Sequence, residues 1–519
     1  MPSLSTQLLV IGGGATGLGV AWDACLRGLK VVLIEQGDLG QGTSGRYHGL
    51  LHSGGRYVVS DPPSARDCAS ENSILRRLAP HTIEDTGGFF ASAPADPADF
   101  ADAWSAASEA CGVPNEEITI AEALRREPLL NPRLARAFRV MDASLDSFDL
   151  LHTLAHGIRA AGGQVMLRHR LESFSSEGGR VRGARVLSLA SGEQTTIGSE
   201  MVINAAGPWA GRVAAAAGIR LPIALGKGTM LAMASRLVHT VINRLKPPSD
   251  GDIIVPVGTV AVLGTTDVPI DDPDDLAIEP WEIDLLLAEG EILIPDLSRH
   301  RALRAWAGVR PLWRPQEGRD ATRALPRAHL ILDHEEHDGV PGIISVIGGK
   351  LTTFRLMAEQ AIDLATRLLR QPAPCLTAET PLEASGRPYF ALSNRWHEID
   401  RPDPGPGSPE IICECEVVRR SDFEQALQSS DTLELDDIRR DLRLGMGPCQ
   451  GGFCAYRAAG IAHALGRSGG STSWLLEFLS ERWRGIRPLG WGSGLRQMEL
   501  TRRIYLELLG AGQSKEALP

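Results

Sequence analysis

The chain has 519 residues, 43% of them hydrophobic and 23% charged, and a net charge of −11. That length exceeds a single compact core, so roughly two to four domains are expected. The acidic balance excludes nucleic acid as a partner, because nothing neutralises a phosphate backbone, and no stretch approaches the roughly 20 apolar residues that span a bilayer. No signal peptide precedes the first strand, so a cytoplasmic location is expected, where thiols stay reduced.

The first element is a short apolar run, Gln7–Ile11, which reads as a buried strand. Gly12-x-Gly14-x-x-Gly17 follows and opens a helix predicted to run to about Arg27. A second apolar run, Val31–Ile34, ends at Glu35. Strand, glycine turn, helix, strand and acid in this order form a Rossmann-type dinucleotide site. Gly12 permits the tight turn, Gly14 lets the backbone approach a pyrophosphate, and Gly17 lets helix and strand pack closely. The helix N-terminus offers unpaired N–H groups to the phosphates, and Glu35 can accept from a ribose.

The fingerprint does not separate FAD from NAD. The next stretch, "GTSGRYHGLLHSGGRYV", reads as a second pass of backbone along an extended cofactor, with Thr43, Ser44 and His48 as contacts. No second GxGxxG supplies a nicotinamide site, which points to a flavin reduced by a substrate. Residues 87–142 and 221–339 mix helical and alternating patterns. "VPVGTVAVLGTTDVPID" reads as strands with turns and "PWEIDLLLAEGEILI" as a helix. "MVINAAGPWA" is a strand running into a small-residue turn that contains Ala206 and Gly207. "ISVIGGKLTTFRLMAEQAIDLATRLL" is a strand, a glycine turn and a helix, with Gly349, Leu351 and Thr352 at the helix start. That start can face a flavin ring, where its dipole would stabilise negative charge.

A Pro-, Gly- and Asp-rich linker then leads to Cys413-x-Cys415 and, later, to "GPCQGGFC" with Cys449 and Cys454. Each pair is predicted to sit in a loop just before a helix, where thiol pKa values fall. Ser421 and Glu424 read as a capping box for the first of these helices, and Gly445 as the stop of the second. Four thiolates without histidine allow zinc, [2Fe–2S] or [4Fe–4S]. In the tail, Trp483 and Trp491 look exposed, so it is read either as a partner-docking surface or as packing back on the flavin domain.

The ordered set "VIGGGATGLGV", "GRYHGLLHSGGRY", "NAAGPW", "GTTD", "AGVRPL" and "GGKLTTFRLMAE" resembles the FAD-dependent glycerol-3-phosphate dehydrogenases of the D-amino-acid-oxidase-like flavoproteins. With "CEC…GMGPCQGGFC" it is similar to the large catalytic (A) subunits of bacterial anaerobic glycerol-3-phosphate dehydrogenases. The resemblance covers nearly the whole chain. It implies an α/β fold with a Rossmann-type FAD domain (1–86, 143–220 and 340–372) and a mixed α+β cap (87–142 and 221–339). A linker (373–410), a small helical [2Fe–2S]-binding domain (411–466) and a C-terminal extension (467–519) follow. It also implies oxidation of glycerol 3-phosphate to dihydroxyacetone phosphate. Electrons would pass to a second flavoprotein subunit, to an iron–sulfur membrane-anchoring subunit and then to quinone, with the chain held peripherally at the inner membrane.

The same resemblance assigns substrate contact most directly to Arg56, Arg310 and Lys350, and by motif to Arg327. An arginine fork suits a phosphomonoester dianion. His52 is the candidate base. The single-chain relatives carry a histidine shortly after "KG" in the cap, where Met230 stands here. The C-x-C pair resembles the [2Fe–2S] site of bacterioferritin-associated ferredoxin domains, and a flavin needs a one-electron outlet that zinc cannot give. The competing readings are an opine or 2-hydroxy-acid dehydrogenase component, an oxidase and a redox-sensing metabolite-binding module.

Overall fold

Apolar runs become inner strands. In a computed structural model that describes residues 3–314, 322, 325, 328–383, 395, 399, 410–428, 434–467, 471–491 and 494–510, the first run forms β1 (Ser3–Ile11), whose segment Leu8–Ile11 is buried. Each such aliphatic side chain contributes about 1.5–3 kcal/mol on burial. The strand begins earlier than Gln7 because Ser3–Thr6 already pair with Thr196–Ser199.

β1 lies between β2 (Val31–Ile34) and the strand Gln194–Asn204, all parallel. Ile343–Gly348 and Gln164–Met166 extend the parallel set on either side. Parallel neighbours need a crossover, and α1 (Ala15–Leu26) supplies the first. Three antiparallel members, His169–Glu177, Arg180–Ser188 and His329–Asp333, complete an eight-stranded sheet. His329–Asp333 lies in the stretch expected to be cap. It instead forms a hairpin with Ile343–Gly348 across the short helix His334–Asp338, so the return to the first sheet comes before residue 340.

A second, nine-stranded sheet draws on both expected cap segments. Gly88–Ser92 and Arg136–Val140 come from the first, and they join the second through the parallel pairing of Gly88–Ala91 with Val241–Arg244. Its longest pairing runs from Ile223↔Trp313 to Met233↔Ala302. The helix Pro280–Leu293 buries Ile283, Leu286 and Leu293 against this sheet, as its helical pattern predicts.

α2 (Pro62–Leu78) starts on an Asp61 cap that accepts from Ser64 N–H (3.3 Å). It buries Glu71, whose carboxylate takes Arg355 from the helix Phe354–Leu368 in a two-pronged pair (2.6 and 2.9 Å).

The C-terminal residues have their own core. Ile412, Phe423, Ile438 and Ala458 share it with Phe478, Leu479, Trp483 and Tyr505. The described residues 471–491 and 494–510 therefore pack as part of the cysteine module and not as a separate extension. Trp483 is buried, while Trp491 is exposed. Among the described residues the expected capping box is not formed: the helix is Arg420–Gln428, so Ser421 lies inside it, its Oγ has no partner among them, and Arg420 pairs with Glu424 (2.6 Å) instead. The next helix, Leu435–Leu442, stops on Arg443 in the left-handed region (φ 60°), before Gly445.

Arg440 to Asp38 (2.6 Å), Arg168 to Asp437 (2.7 Å) and Arg443 to Asp146 (3.2 Å) seat this module on the first sheet's unit. The first part of the expected linker packs too: Leu382 is in the first sheet's core and its N–H donates to Leu78 O (2.8 Å). Most of residues 384–409 lie outside the described residues. No described helix is long and apolar enough to cross a membrane.

Candidate functional site

A cavity of about 910 Å³ runs from the glycine turn to the edge of the cap sheet. This is near the upper end of small-molecule sites, roughly 300–1,000 Å³, and leaves room for an extended dinucleotide. Close packing shapes its floor. A Cβ on Gly12 (φ 116°) would meet Ala205 O at 2.5 Å, and one on Gly17 would meet Gly12 O at 1.9 Å. Gly14 is the N-cap of α1 and offers no side chain to the first turn. Ser44 Oγ fills that role from the adjoining loop, accepting from Ala15 N–H (2.9 Å). Glu35 accepts from Gly13 N–H (2.6 Å) and Gly37 N–H (2.8 Å), and burial pushes its carboxyl up.

Gly12, Gly14, Glu35, Thr43, Ser44, His48, Ala206, Gly207, Gly349, Leu351 and Thr352 all line this one cavity. Gly17 lies beneath it as a packing residue. Thr43 Oγ1 donates to Val309 O (2.6 Å), tying the loop to the strand Ala302–Trp313. The turn at Gly348–Gly349 and the start of the helix Phe354–Leu368 close the far end, so that helix start does face the cavity.

His52, Arg310 and Lys350 meet at this end. His48 and His52 stand edge to face, ring centroids 6.0 Å apart, and Tyr57 is 5.5 Å from His52. Lys350 Nζ lies 4.4 Å from the centre of the Tyr57 ring. Arg310 donates to Asp267 Oδ1 (3.0 Å), to Thr266 O and to Thr265 Oγ1. Gly228 makes room for it, since a Cβ there would sit 2.6 Å from Arg310 Nη2. Arg56 does not line the cavity; it faces Asp252, at 2.8 and 3.0 Å from the two carboxylate oxygens. Arg327 lies outside the described residues. Met230 is buried in the cap sheet opposite Gly264 and Trp306.

Burial holds both histidines neutral. It pushes His48 down to about 3, helped by Arg56 and Arg310, and His52 well below its ordinary value, helped by His48, Arg56 and Lys350. His48 Nδ1 accepts from Leu50 N–H (3.2 Å), which leaves its proton on Nε2. The unfolded chain protonates these rings below about pH 6.5 and the folded chain does not, so the unfolded state binds more protons. Stability therefore falls as pH drops below about 6.5, for His48 until about 3, by up to about 1.4 kcal/mol per pH unit for each ring. Urea midpoints measured from pH 7 to 5 should fall, and fall less steeply in His48→Gln.

Several supporting residues carried no signal in the sequence. Asp142 accepts from Ser53 N–H (2.7 Å) and Asn243 Nδ2 (2.9 Å), fixing the loop that bears His52. The motif "GTTD" is visible as a string, but its task of holding Arg310 is not. Behind it, buried Glu282 accepts from Thr229 and Thr266 hydroxyls (2.7 and 2.8 Å) and pairs with Lys227 (3.0 Å).

The four thiols converge elsewhere. No described group of three or more His, Cys, Asp or Glu side chains has ready-made metal geometry, yet the sulfurs form a closed ring. Cys415 Sγ is 3.5 Å from Cys449 Sγ, Cys413 contacts Cys415 and Cys454, and Cys454 contacts Cys449. Cys413 and Cys449 are held far below the ordinary thiol range. The main cause is hydrogen bonding from the other two thiols. N–H groups of Gly445 and Glu416 add to this at Cys413, and those of Gly451 and Phe453 at Cys449. Cys415 and Cys454 are correspondingly pushed up. A Cβ on Gly447 would meet Cys415 Cβ at 2.3 Å, so only glycine lets the two loops close. Sulfur anions ringed by backbone N–H groups suit an iron–sulfur cluster. Cys413 ends a strand and Cys454 begins the helix Cys454–Ala464, so the expected placement before helices is only approximate.

Residues 7–355 match the FAD dependent oxidoreductase family. The chain is 39% identical to the A subunit of the anaerobic glycerol-3-phosphate dehydrogenase of Escherichia coli, over 99% of both proteins. It is 37% identical to the A1 subunit of the corresponding enzyme of Haloferax volcanii, over 99% of this chain and 92% of that one. The FAD complex of a Bacillus halodurans glycerol-3-phosphate dehydrogenase shares the fold, with a TM-score of 0.59 and 23% identity over 99% of this chain and 92% of that chain.

Proposed function

Because the chain belongs to the FAD dependent oxidoreductases and, among them, to the catalytic A chains of the anaerobic glycerol-3-phosphate dehydrogenases, we propose that it oxidises sn-glycerol 3-phosphate to dihydroxyacetone phosphate. The observation that carries this reading is the meeting of Arg310, Lys350 and a neutral His52 at one end of a dinucleotide-sized cavity. Bound FAD supplies the two-electron acceptor for the hydride leaving C2. The chain does the rest. Arg310 and Lys350 hold the phosphate dianion, with Arg56 close enough to favour it electrostatically. His52 takes the C2 hydroxyl proton, which requires the neutral ring that burial maintains. The cap sheet excludes water.

Cys413, Cys415, Cys449 and Cys454 would hold a [2Fe–2S] cluster, which supplies a one-electron outlet. Onward transfer to a second flavoprotein, an iron–sulfur membrane anchor and quinone is supported by the word "subunit" in the relatives' names. Attachment to the membrane would then be peripheral.

The test is steady-state turnover with a dye acceptor. Glycerol 3-phosphate should exceed glycerol and 2-hydroxy acids in kcat/KM by about 10⁴, as expected of a site whose buried polar groups are left unpaired by the wrong substrate. Faster turnover of an opine or 2-hydroxy acid would replace this reading.

A further inference from the structure

A second cavity, of about 310 Å³, lies where the turn 40–49, the cap sheet and the cysteine module meet. One wall is apolar, built by Val260, Val262 and Leu303 of the cap. The other is cationic. Seven arginines and three carboxylates line the space, and each of those carboxylates is already engaged. Asp436 binds Arg439 and Arg440, Asp146 binds Arg443, and Glu481 binds Arg484.

Arg46, Arg304 and Arg482 remain, with no carboxylate in ion-pair contact among the described residues. Arg46 Nε donates to Gln41 O (2.7 Å) and Arg304 to Gln450 Oε1 (3.3 Å). Arg482 is 1% exposed and its Nε has no hydrogen-bond partner among the described residues, nor has Arg304 Nε. Burial and the neighbouring arginines push Arg304 down to about 10 and Arg482 well below the guanidinium range. Asp436 and Glu481 act on both from a distance, but a buried cation with no counter-charge in contact is costly, and buried polar groups are normally satisfied. Three cations converging on a space that large call for an anion in it.

We propose that this cavity binds a small phosphate-bearing anion, held by Arg304, Arg482 and Arg46. Guanidinium forks match phosphate oxygens, and the apolar wall accepts a small organic body. The site is distinct from the flavin cavity but touches it through Arg46, which lines both. Through Gln41 the anion bears on the loop that carries Thr43 and Ser44. Its opposite side is the module with the four thiols, so the ligand sits between the two candidate redox centres.

The test is calorimetric titration of inorganic phosphate into the flavin-loaded protein at constant ionic strength. An Arg310→Met background keeps the outcome separate from the substrate reading. That variant should still bind one phosphate per chain, and adding Arg482→Met should weaken binding at least 10-fold. Arg482→Met alone should keep its flavin and its turnover, and should lose the rise in melting temperature that phosphate gives the parent. Arg304→Gln serves as a second variant should Arg482→Met fail to fold, and should also weaken binding. Phenyl phosphate binding at least 10-fold tighter than phosphate would mark the ligand as an organic monoester, and equal affinities would mark inorganic phosphate; both outcomes support the site. Unchanged phosphate affinity in the folded Arg482 or Arg304 variants, or no binding in the Arg310→Met background, would overturn it.

Discussion

Gly17→Val should yield a chain without flavin and with little remaining stability. The new Cβ would lie 1.9 Å from Gly12 O and 3.0 Å from Gly12 C, both backbone atoms that cannot swing away. α1 would have to lift off the end of β1, carrying the Ala15 N–H and the glycine turn out of register with Ser44. Overpacking of this kind costs about 1–3 kcal/mol, and losing a ligand present at 1,000 times its Kd removes about 4 kcal/mol more. The sum rivals the whole stability of a domain, about 5–15 kcal/mol. Flavin absorbance per chain and melting temperature both measure it. Gly28→Ala is the control. Unlike Gly17 it has a positive φ (81°), but nothing lies within 4 Å of the added Cβ, so it should keep its flavin and lose only about 1 kcal/mol. A flavin-loaded Gly17→Val protein would refute the close-packing account of the glycine turn.

Arg310→Met should retain flavin and lose turnover. Its guanidinium touches the cavity end away from the glycine loop, so cofactor content should stay near the parent's. Truncation removes the proposed phosphate partner and takes the fork away from Asp267, whose side chain is 2% exposed. A buried carboxylate that has lost this fork then stands beside the incoming dianion. A loss of about 3–5 kcal/mol in transition-state stabilisation is expected, or about 10²–10⁴ in kcat/KM. Arg310→Lys should recover little, because an ammonium cannot span Asp267, Thr265 and a phosphate as the fork does. A fall of less than threefold in Arg310→Met would remove this residue from the substrate site.

The local parts of this structure were legible in the sequence. Gly12, Gly14, Gly17 and Glu35 act within one strand–turn–helix–strand unit, and spacing alone defines such a unit. The same holds for Gly349, Leu351 and Thr352 at a helix start. Contacts made across the chain were not legible. Arg56 looked like a substrate ligand, and only folding brings Asp252 against it. His329–Asp333 reads as a cap strand until its hairpin with the first sheet is seen. Trp483 looks exposed in an amphipathic pattern because the core it enters is built from residues 412–462. Arg46, Arg304 and Arg482 lie far apart in sequence, so neither their convergence nor their lack of carboxylate partners among the described residues carries a sequence pattern. The thiol ring falls between these cases: the spacing singles out the four cysteines, while the alternation of low and raised thiols depends chiefly on the thiol–thiol hydrogen bonds that folding creates, with backbone N–H groups of both loops adding to it.

The most direct test of the central claim is an anaerobic UV–visible spectrum of the pure protein before and after glycerol 3-phosphate is added. The account predicts flavin bands that bleach within the turnover time, together with a fall in broad iron–sulfur absorption. Flavin and cluster bands that do not respond to glycerol 3-phosphate would contradict the assigned substrate, and a spectrum without cluster absorption, from protein containing zinc, would contradict the electron outlet.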